Sequence, residues 1–175
     1  MLKNLKRFAA AALFAACAIG TSANAYAQKI NMNLVYDGVS HAYNEEEIKI
    51  NVGGKEITGL DVPAVSINSR TMVPARAVFE ELGAEVAWND NTKEVYIIKD
   101  TDVVTLKIDS STGTINSAPF VMDTPAKIVN DRTLIPIRAA AEALKYTVGW
   151  DDATRTVSVS KSGTNSSDNS GNGNQ

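Results

Sequence analysis

Two short stretches of the chain repeat apolar residues at the spacing of one helix face. From Ala75 to Leu82, apolar side chains recur at i, i+3, i+4 and i+7, which predicts a helix over 76–82 with one apolar stripe. The same spacing runs from Ile137 to Leu144 and predicts a second helix. The stripes consist of Ala75, Val78, Phe79 and Leu82 in the first helix and of Ile137, Ala140, Ala141 and Leu144 in the second.

The ends of the two predicted helices differ at one position. Pro74 falls in the first turn, where the missing N–H of proline is not needed, and Pro136 holds the corresponding place in the second helix. Gly83 directly follows the first helix and predicts a carboxyl-terminal cap. Lys145 stands there after the second helix, so either a non-glycine residue takes a left-handed conformation, at some cost, or the helix ends differently.

Alternating apolar and polar residues predict strands elsewhere. Segment 30–57 predicts two hairpins, because Asp37-Gly38 and Gly53-Gly54 supply the positive φ that tight turns require. Each helix is followed by another hairpin, closed by the polar turn NDNT or DDAT. VGGKEI and STGTINSAPF are interpreted as equivalent hairpins. The hairpin faces that we expect to lie on the helix stripes are Val86, Trp88, Val95 and Ile97, and Val148, Trp150, Val157 and Val159.

The second half of the chain repeats the first at a distance of 62 residues. Aligned without gaps, segments 61–95 and 123–157 are identical at 16 of 35 positions. Repetition at a fixed period marks a supersecondary unit used twice. We therefore expect an α+β fold of two repeats, each a small antiparallel β-sheet packed on one α-helix, sharing an interface because one unit alone is marginally stable. The motif positions are Arg70, Pro74, Arg76, Glu80, Gly83 and Trp88, and Arg132, Pro136, Arg138, Glu142 and Trp150.

The beginning of the chain predicts export. Residues 1–27 place three basic residues before the apolar run 8–19 and end in Ala-Tyr-Ala, which predicts a signal peptide cleaved after Ala27. The apolar run is shorter than the roughly 20 residues that span a bilayer. In an alternative interpretation, Ala15-Ala16-Cys17 ends a lipobox-like string and Cys17 is lipidated.

The remaining chain divides into three segments. Segment 28–100 is predicted to hold the amino-terminal hairpins and the first repeat, and segment 101–161 the second repeat. Segment 162–175, rich in Ser, Asn and Gly, predicts a disordered tail. Cleavage after Ala27 would remove three of 17 basic residues, none of 20 acidic ones and the single cysteine, leaving a net charge of −6. Such a chain does not favour nucleic-acid binding and forms no disulfide.

The strings RTMVPARAVFEELGAEVAW and RTLIPIRAAAEALKYTVGW resemble the copper amine oxidase N-terminal-like domain family, also called the stalk domain. The resemblance covers about residues 30–160. It implies a small antiparallel sheet wrapped on a helix, serving as a non-catalytic stalk in secreted and surface proteins of mainly Gram-positive, spore-forming bacteria. The second string departs at Lys145 and Tyr146, where the family usually has Gly-Ala, and this affects the expected geometry of the helix end.

The residues do not predict a catalytic or metal centre. Copper or zinc requires three or four clustered His, Cys or carboxylate ligands, and the only histidine is His41, in a predicted strand beside Tyr43. The Asn-Tyr-Asp/Glu motif of a tyrosine-derived quinone is absent, as are a glycine-rich phosphate loop and a credible Ser/His/Asp set. The turns NDNT and DDAT are shorter than a calcium loop. We expect no catalytic residue, no cofactor and no bound metal.

Two sets of side chains have both a structural and a ligand-binding interpretation. Arginine and glutamate form i,i+4 pairs in both helices, and such pairs stabilise helices, although arginine also binds carboxylates and sugars. Arg70 and Arg132 are candidates to bond loop carbonyls. Trp88 and Trp150 stand beside acidic turns, as sugar-stacking tryptophans do, but an aromatic residue at an inward strand position most often packs in the core. We favour the structural interpretation of both sets.

Together these features predict a non-catalytic stalk or protein-interaction module of the cell envelope, secreted or associated with the wall. The alternative is a module that binds wall polysaccharide through an exposed aromatic side chain, and an enzyme or metal carrier is the least favoured class. We expect neither nucleic acid as a partner nor a transmembrane span. The aromatic candidates for stacking are Tyr36, Tyr43, Tyr96, Trp88 and Trp150.

Overall fold

The computed structural model describes residues 28–163, and within this range the chain forms fifteen strands and two helices. The helices have seven residues each. The elements in chain order are β1 Lys29–Tyr36, β2 Val39–Glu46, β3 Lys49–Val52, β4 Lys55–Ile57, β5 Val65–Ile67, β6 Arg70–Pro74, α1 Ala75–Glu81, β7 Glu85–Asn89, β8 Glu94–Lys99, β9 Asp102–Lys107, β10 Thr112–Ile115, β11 Ala118–Val121, β12 Lys127–Val129, β13 Arg132–Pro136, α2 Ile137–Ala143, β14 Tyr146–Asp151 and β15 Thr156–Lys161.

A four-stranded sheet of order β12-β13-β6-β5 lies at the centre of the fold. Its two inner strands are antiparallel, with Val73 opposite Ile135, Met72 opposite Pro136 and Pro74 opposite Leu134. Val73 and Ile135 are 62 positions apart in the sequence, which is the period of the repeat. Met72 and Leu134 are also 62 positions apart, as are Pro74 and Pro136. The two halves of the chain are therefore related here by a local two-fold axis that passes between Val73 and Ile135.

Strands of both halves share the two outer sheets. One has the order β14-β15-β3-β4, in which β15 runs parallel to β3 with Val157 opposite Ile50. The other has the order β11-β10-β9-β8-β7. The hairpin β3–β4 of the first half thus completes the sheet of β14 and β15, whereas β7 to β11 are neighbours in chain order and cross from the first half into the second at β9. The strands β1 and β2 form a separate two-stranded sheet.

The predicted fold class is wrong. The protein is predominantly β, with several sheets and only two helices in the described range, and not two α+β units that each fold a sheet on a helix. The physical reason is that each helix has only seven residues and covers little sheet. The apolar faces of the hairpins are buried in one core that they share with both helices and the central sheet.

The predictions of local structure were more accurate. Both helices are confirmed, although α1 begins one residue earlier than predicted and Pro74 is its amino-terminal cap residue. The predicted turns Asp37-Gly38 and Gly53-Gly54 are both confirmed, with φ of 55° and 72° in the first and of 58° and 91° in the second. Lys145 has a φ of 62° and Gly83 a φ of 73°, so the second helix ends as the first does, with a non-glycine residue in the left-handed region.

The main core lies between the outer sheets and the central sheet. Phe79 of α1, Val73 and Ile135 of the central sheet and Ile97 of β8 are all fully buried in it. Both helix stripes face this core, as their spacing predicted: Val78, Phe79, Ala140 and Ala141 have no exposed surface.

A second, smaller core lies under the hairpin β1–β2. Leu34 packs there with Met72 and Leu134 of the central sheet. Tyr43 is buried in the same cluster, and its hydroxyl accepts a hydrogen bond from the Ser66 N–H at 3.0 Å. Burial raises the pKa of the Tyr43 phenol above its ordinary value. The hairpin is therefore attached to the body by apolar packing and by a buried hydrogen bond.

Lys127 fixes the turn of the β1–β2 hairpin. Its side chain is only 12% exposed, and Nζ donates to both carboxylate oxygens of Asp37 at 2.8 Å and to Asp109 at 3.0 Å. Burial lowers the pKa of Lys127, but the hydrogen bonds to Asp37 and Asp109 outweigh it and raise the pKa overall. The ammonium group consequently joins three separate segments of the chain.

The predicted signal peptide, Cys17 and most of the predicted tail lie outside the described residues. Neither helix within residues 28–163 has the length and hydropathy needed to cross a bilayer.

The contrast between the helix ends leads to a test by exchange of residues. Lys145→Gly should raise the free energy of unfolding by up to about 1 kcal/mol, because glycine adopts a positive φ without steric cost. Gly83→Lys should lower it by about 1 kcal/mol, since its new Cβ would also lie 3.2 Å from Lys99 Nζ. Urea unfolding measures both changes. A loss of stability in Lys145→Gly would show that the 3.5 Å ion pair with Asp102 matters more than backbone strain.

Candidate functional site

Two open grooves lie on the surface, one beside each helix. We call them the α1 groove, of about 790 Å³, and the α2 groove, of about 830 Å³. Of the seventeen residues that line the α1 groove, sixteen have a counterpart 62 positions away that lines the α2 groove, and Asp90 is the exception. The local two-fold axis of the fold therefore generates two versions of one site.

Each groove is built from both halves of the chain. The first turn of a helix forms one wall, with Arg76 in the α1 groove and Arg138 in the α2 groove. The strand after that helix forms the second wall and places Trp88 or Trp150 in the groove. The third wall comes from the other half. Pro74 and Pro136 line the grooves at the points where strands β6 and β13 turn into the helices.

Ion pairs between the halves flank both grooves. Arg70 of the first half contacts Asp123 of the second at 2.5 Å, and Arg132 of the second contacts Asp61 of the first at 2.6 Å. The hydrogen bond to Asp61 and its negative charge raise the pKa of Arg132. All four side chains are at least half exposed, so each pair fixes geometry more than it adds stability.

The two aspartates are site residues that the sequence interpretation missed. Arg70 also donates to the Ser69 carbonyl at 3.2 Å and Arg132 to the Asp131 carbonyl at 3.4 Å, in line with the proposed loop contacts. A signal for the missed aspartates was present, because the aligned segments begin with an aspartate in both copies. Surface acids have so many ordinary roles that this identity did not stand out.

The helix pairs behave differently in the two halves. Arg76 Nε lies 3.2 Å from Glu80 Oε1, whereas Arg138 Nε lies 3.9 Å from Glu142 Oε1. Arg138 and Glu142 both line the α2 groove, whereas Glu80 does not line the α1 groove. The α2 groove therefore offers a longer, weaker ion pair to a ligand. Gly83 lies at the helix end, away from both grooves.

The tryptophans are exposed, and the expectation that they pack in the core is wrong. Trp88 is 36% exposed and Trp150 is 40% exposed. Their strand register was predicted correctly, since Trp88 lies opposite Val95 and Trp150 opposite Val157. Both rings stand near the ends of hairpins on outermost strands, where no further strand covers them.

Polar groups hold both indoles in place. Trp150 Nε1 donates to Asp152 Oδ1 at 3.3 Å, and the Arg155 guanidinium lies 5.7 Å from the ring centre. Trp88 and Asp90 hold the equivalent positions in the first half. The hydrogen bond from Lys93, its positive charge and the indole together hold the pKa of Asp90 below its ordinary value. Each groove thus contains a positioned aromatic surface beside a carboxylate.

The other aromatic candidates lie elsewhere. His41 stacks on Tyr36 with ring centres 4.0 Å apart, and neither residue lines a groove. Tyr96 donates its hydroxyl to Glu94 at 2.6 Å, and Tyr43 is buried. The tryptophans are therefore the aromatic residues that the fold presents in the grooves.

Described residues do not suit a copper centre. No group of three or more His, Cys, Asp or Glu side chains within residues 28–163 is arranged to hold a metal ion. His41, the one imidazole, stacks on a tyrosine ring.

The chain therefore forms a predominantly β module with internal two-fold symmetry and one groove beside each helix. A family profile described as the copper amine oxidase N-terminal domain matches residues 51–159. The chain belongs to that family, as its sequence motifs indicated. A search among curated proteins found no match.

One difference between the grooves leads to a stability prediction. Thr124 lines the α2 groove at the position that Val62 occupies in the α1 groove. Its hydroxyl is buried and has no hydrogen-bond partner among the described residues. Thr124→Val should therefore raise the free energy of unfolding by about 1 kcal/mol, since it removes an unsatisfied polar group at nearly constant volume. Urea unfolding measures it, with Val62→Thr as the reciprocal control. A destabilised Thr124→Val would mean that an ordered water satisfies the hydroxyl.

Proposed function

We propose that the protein is an exported, non-catalytic interaction module of the cell envelope that binds another protein through its two grooves. The observation that carries the proposal is the pair of grooves related by the local two-fold axis, each with an exposed tryptophan. A tryptophan held beside apolar strand residues is typical of the centre of a protein-binding surface. Membership of a family of accessory domains supports the same class of function.

The groups gathered in the grooves favour binding over catalysis. Three arginines of the groove walls are already paired with carboxylates of the walls: Arg70 with Asp123, Arg132 with Asp61 and Arg138 with Glu142. Catalytic acids and bases are typically held with strongly perturbed pKa values in a cleft. The shifted pKa of Asp90 has an ordinary cause, an exposed hydrogen bond from a neighbouring lysine. These walls suit recognition of a partner by shape, apolar contact and charge.

Binding of a wall polysaccharide is the second candidate, and the exposure of the tryptophans favours it. An indole held by a carboxylate, as Trp150 is by Asp152, offers a flat face to a sugar ring and an acceptor to its hydroxyls. We rank it second because the apolar walls extend well beyond the indole. Val121, which is 79% exposed, and Val148 both line the α2 groove.

Export rests on the pattern of residues 1–27. Amino-terminal sequencing of protein recovered from the host's medium or wall should give a chain that begins at Gln28, because small residues at positions 25 and 27 suit cleavage after Ala27. A lipid-modified chain beginning at Cys17 would place the protein on the membrane surface. An intact chain in the cytoplasm would contradict export altogether.

The choice between the two partner classes is made by parallel retention assays. The purified full chain should retain a protein from the extracellular fraction and should not sediment with protein-stripped cell walls. Trp88→Ala and Trp150→Ala should each weaken retention of the protein partner about tenfold or more, as expected for central aromatic contacts.

The control variant is Val39→Ala, which removes an exposed apolar side chain of the β1–β2 hairpin outside both grooves. It should bind as the unaltered chain does. Sedimentation with stripped walls that disappears in folded Trp150→Ala would replace the protein partner by a polysaccharide.

A further inference from the structure

The way strand β14 borders the α2 groove points to an open strand edge. Successive side chains of a strand point to opposite faces of its sheet, so a groove lying on one face would be lined by every second residue. The α2 groove is lined by Val148, Gly149 and Trp150 in succession. Val86, Ala87 and Trp88 of β7 line the α1 groove in the same way. Both grooves therefore run along the edge of an outer sheet.

The hydrogen-bond ladder shows which backbone groups of β14 face the groove. Strand β14 pairs with β15 alone and ends the order of its sheet. Ser162 N–H donates to the Lys145 carbonyl at 3.3 Å, which sets the phase of this antiparallel ladder. Because bonded and outward-facing residues alternate along an antiparallel strand, the N–H and C=O groups of Val148 and Trp150 turn away from β15. No hydrogen bond to these groups occurs on that side within residues 28–163.

This edge lacks the usual protections. Sheet edges are commonly blocked by proline or lysine or kept very short. Strand β11, which ends the five-stranded sheet, contains Pro119. Strand β4, which ends the sheet of β14 on its other side, has only three residues. Strand β14 has six residues, with neither proline nor lysine. It is long enough to pair with another strand.

The walls of the α2 groove suggest the chemistry of such a strand. Trp150 and the exposed Val121 provide apolar surface. Three arginines and two carboxylates line this groove, whereas two arginines and three aspartates line the α1 groove. The charge balance of the α2 groove therefore favours a segment with an acidic residue, and that of the α1 groove favours a basic one.

We propose that the α2 groove binds an extended polypeptide segment, which adds to β14 as a further strand. The segment presents alternate apolar side chains to Trp150 and Val121 and a carboxylate to Arg138. Its backbone pairs with the outward N–H and C=O groups of Val148 and Trp150, so main-chain bonds supply affinity and the walls supply selectivity. This proposal rests on the proposed protein-binding function and names the form in which the partner binds.

The test uses random peptides of about ten residues, a length that covers a strand, displayed on phage and selected on the purified full chain. Enriched peptides should contain alternating apolar residues and an acid. Synthetic copies carrying a single N-methyl group should lose about tenfold or more in affinity at every second position and little at the positions between, because only alternate N–H groups face β14. This period-two response requires no change to the protein.

A matched pair of protein variants locates the site. Val148→Pro removes an N–H that faces the groove and takes no part in the β14–β15 ladder, so the variant should fold normally. Its affinity for the enriched acidic peptides should fall about tenfold. Val86→Pro makes the same change on β7 and should leave binding of these peptides unchanged. Circular dichroism and the urea midpoint check that both variants are folded.

Each other outcome overturns the strand-addition proposal in a recognisable way. Strand addition would be ruled out if no peptide is enriched. It would also be ruled out if peptide affinity is unchanged both by Val148→Pro and by N-methylation of the peptide. A dimer that Val148→Pro dissociates would make a second copy of this chain the occupant. If Val148→Pro still retains the extracellular partner, the proposed function stands and strand addition is wrong. If the protein is retained by stripped walls and by no protein, the proposed function itself is wrong.

Discussion

The pairing of β6 with β13 is the contact on which the rest of the structure depends. Val73 and Ile135 face each other at its centre, and both are fully buried. Their antiparallel register sends the two halves of the chain outward in opposite directions, each into its own short helix. A shift of either strand by one residue would turn its buried side chain toward the opposite face of the sheet. The two-fold arrangement of everything outside this ladder follows from that register.

Both grooves are consequences of the same symmetry. The helix that leaves the central ladder on one side meets residues of the other half, so a ligand in either groove would touch both halves at once. Two ion pairs between the halves, Arg70 with Asp123 and Arg132 with Asp61, hold this arrangement, one beside each groove. The grooves differ where the halves have diverged in sequence, as at Val62 and Thr124, and also in the length of the ion pair on each helix. A partner that reads those differences would distinguish one groove from the other.

Local structure could be predicted from the sequence because its causes are local. The apolar spacing around Phe79, the caps and the paired turn residues each act within a few positions, and the structure has them where they were expected. The pairing of the hairpin β3–β4 with β15 could not be predicted in this way. Strand β3 lies beside β15, and no feature of Ile50 or Val157 specifies that they should be neighbours. Such pairing depends on the whole arrangement of sheets.

The candidate site was predicted in part for the same reason. Repetition identified the arginines and tryptophans, but exposure depends on which strands end a sheet. Trp150 has the alternation of a core residue, and the pattern in its strand does not reveal that β14 has one neighbour. The aspartates that bond the arginines were conspicuous only as repeated letters. Each aspartate bonds an arginine of the opposite half, and an alignment of the two copies shows equivalent positions but no contacts between the halves.

The pairing of β3 with β15 also determines when the core can close during synthesis of the chain. Strand β3, near the beginning of the described chain, has its parallel neighbour in β15, the last strand. Ile50 and Val52, buried in the finished core, remain without cover until residues 156–161 are present. Pairing of such distant segments slows folding. A chain synthesised from its amino terminus would therefore leave this part of its core open until residues 156–161 appear, so folding of β3 into its sheet is completed only after synthesis of β15.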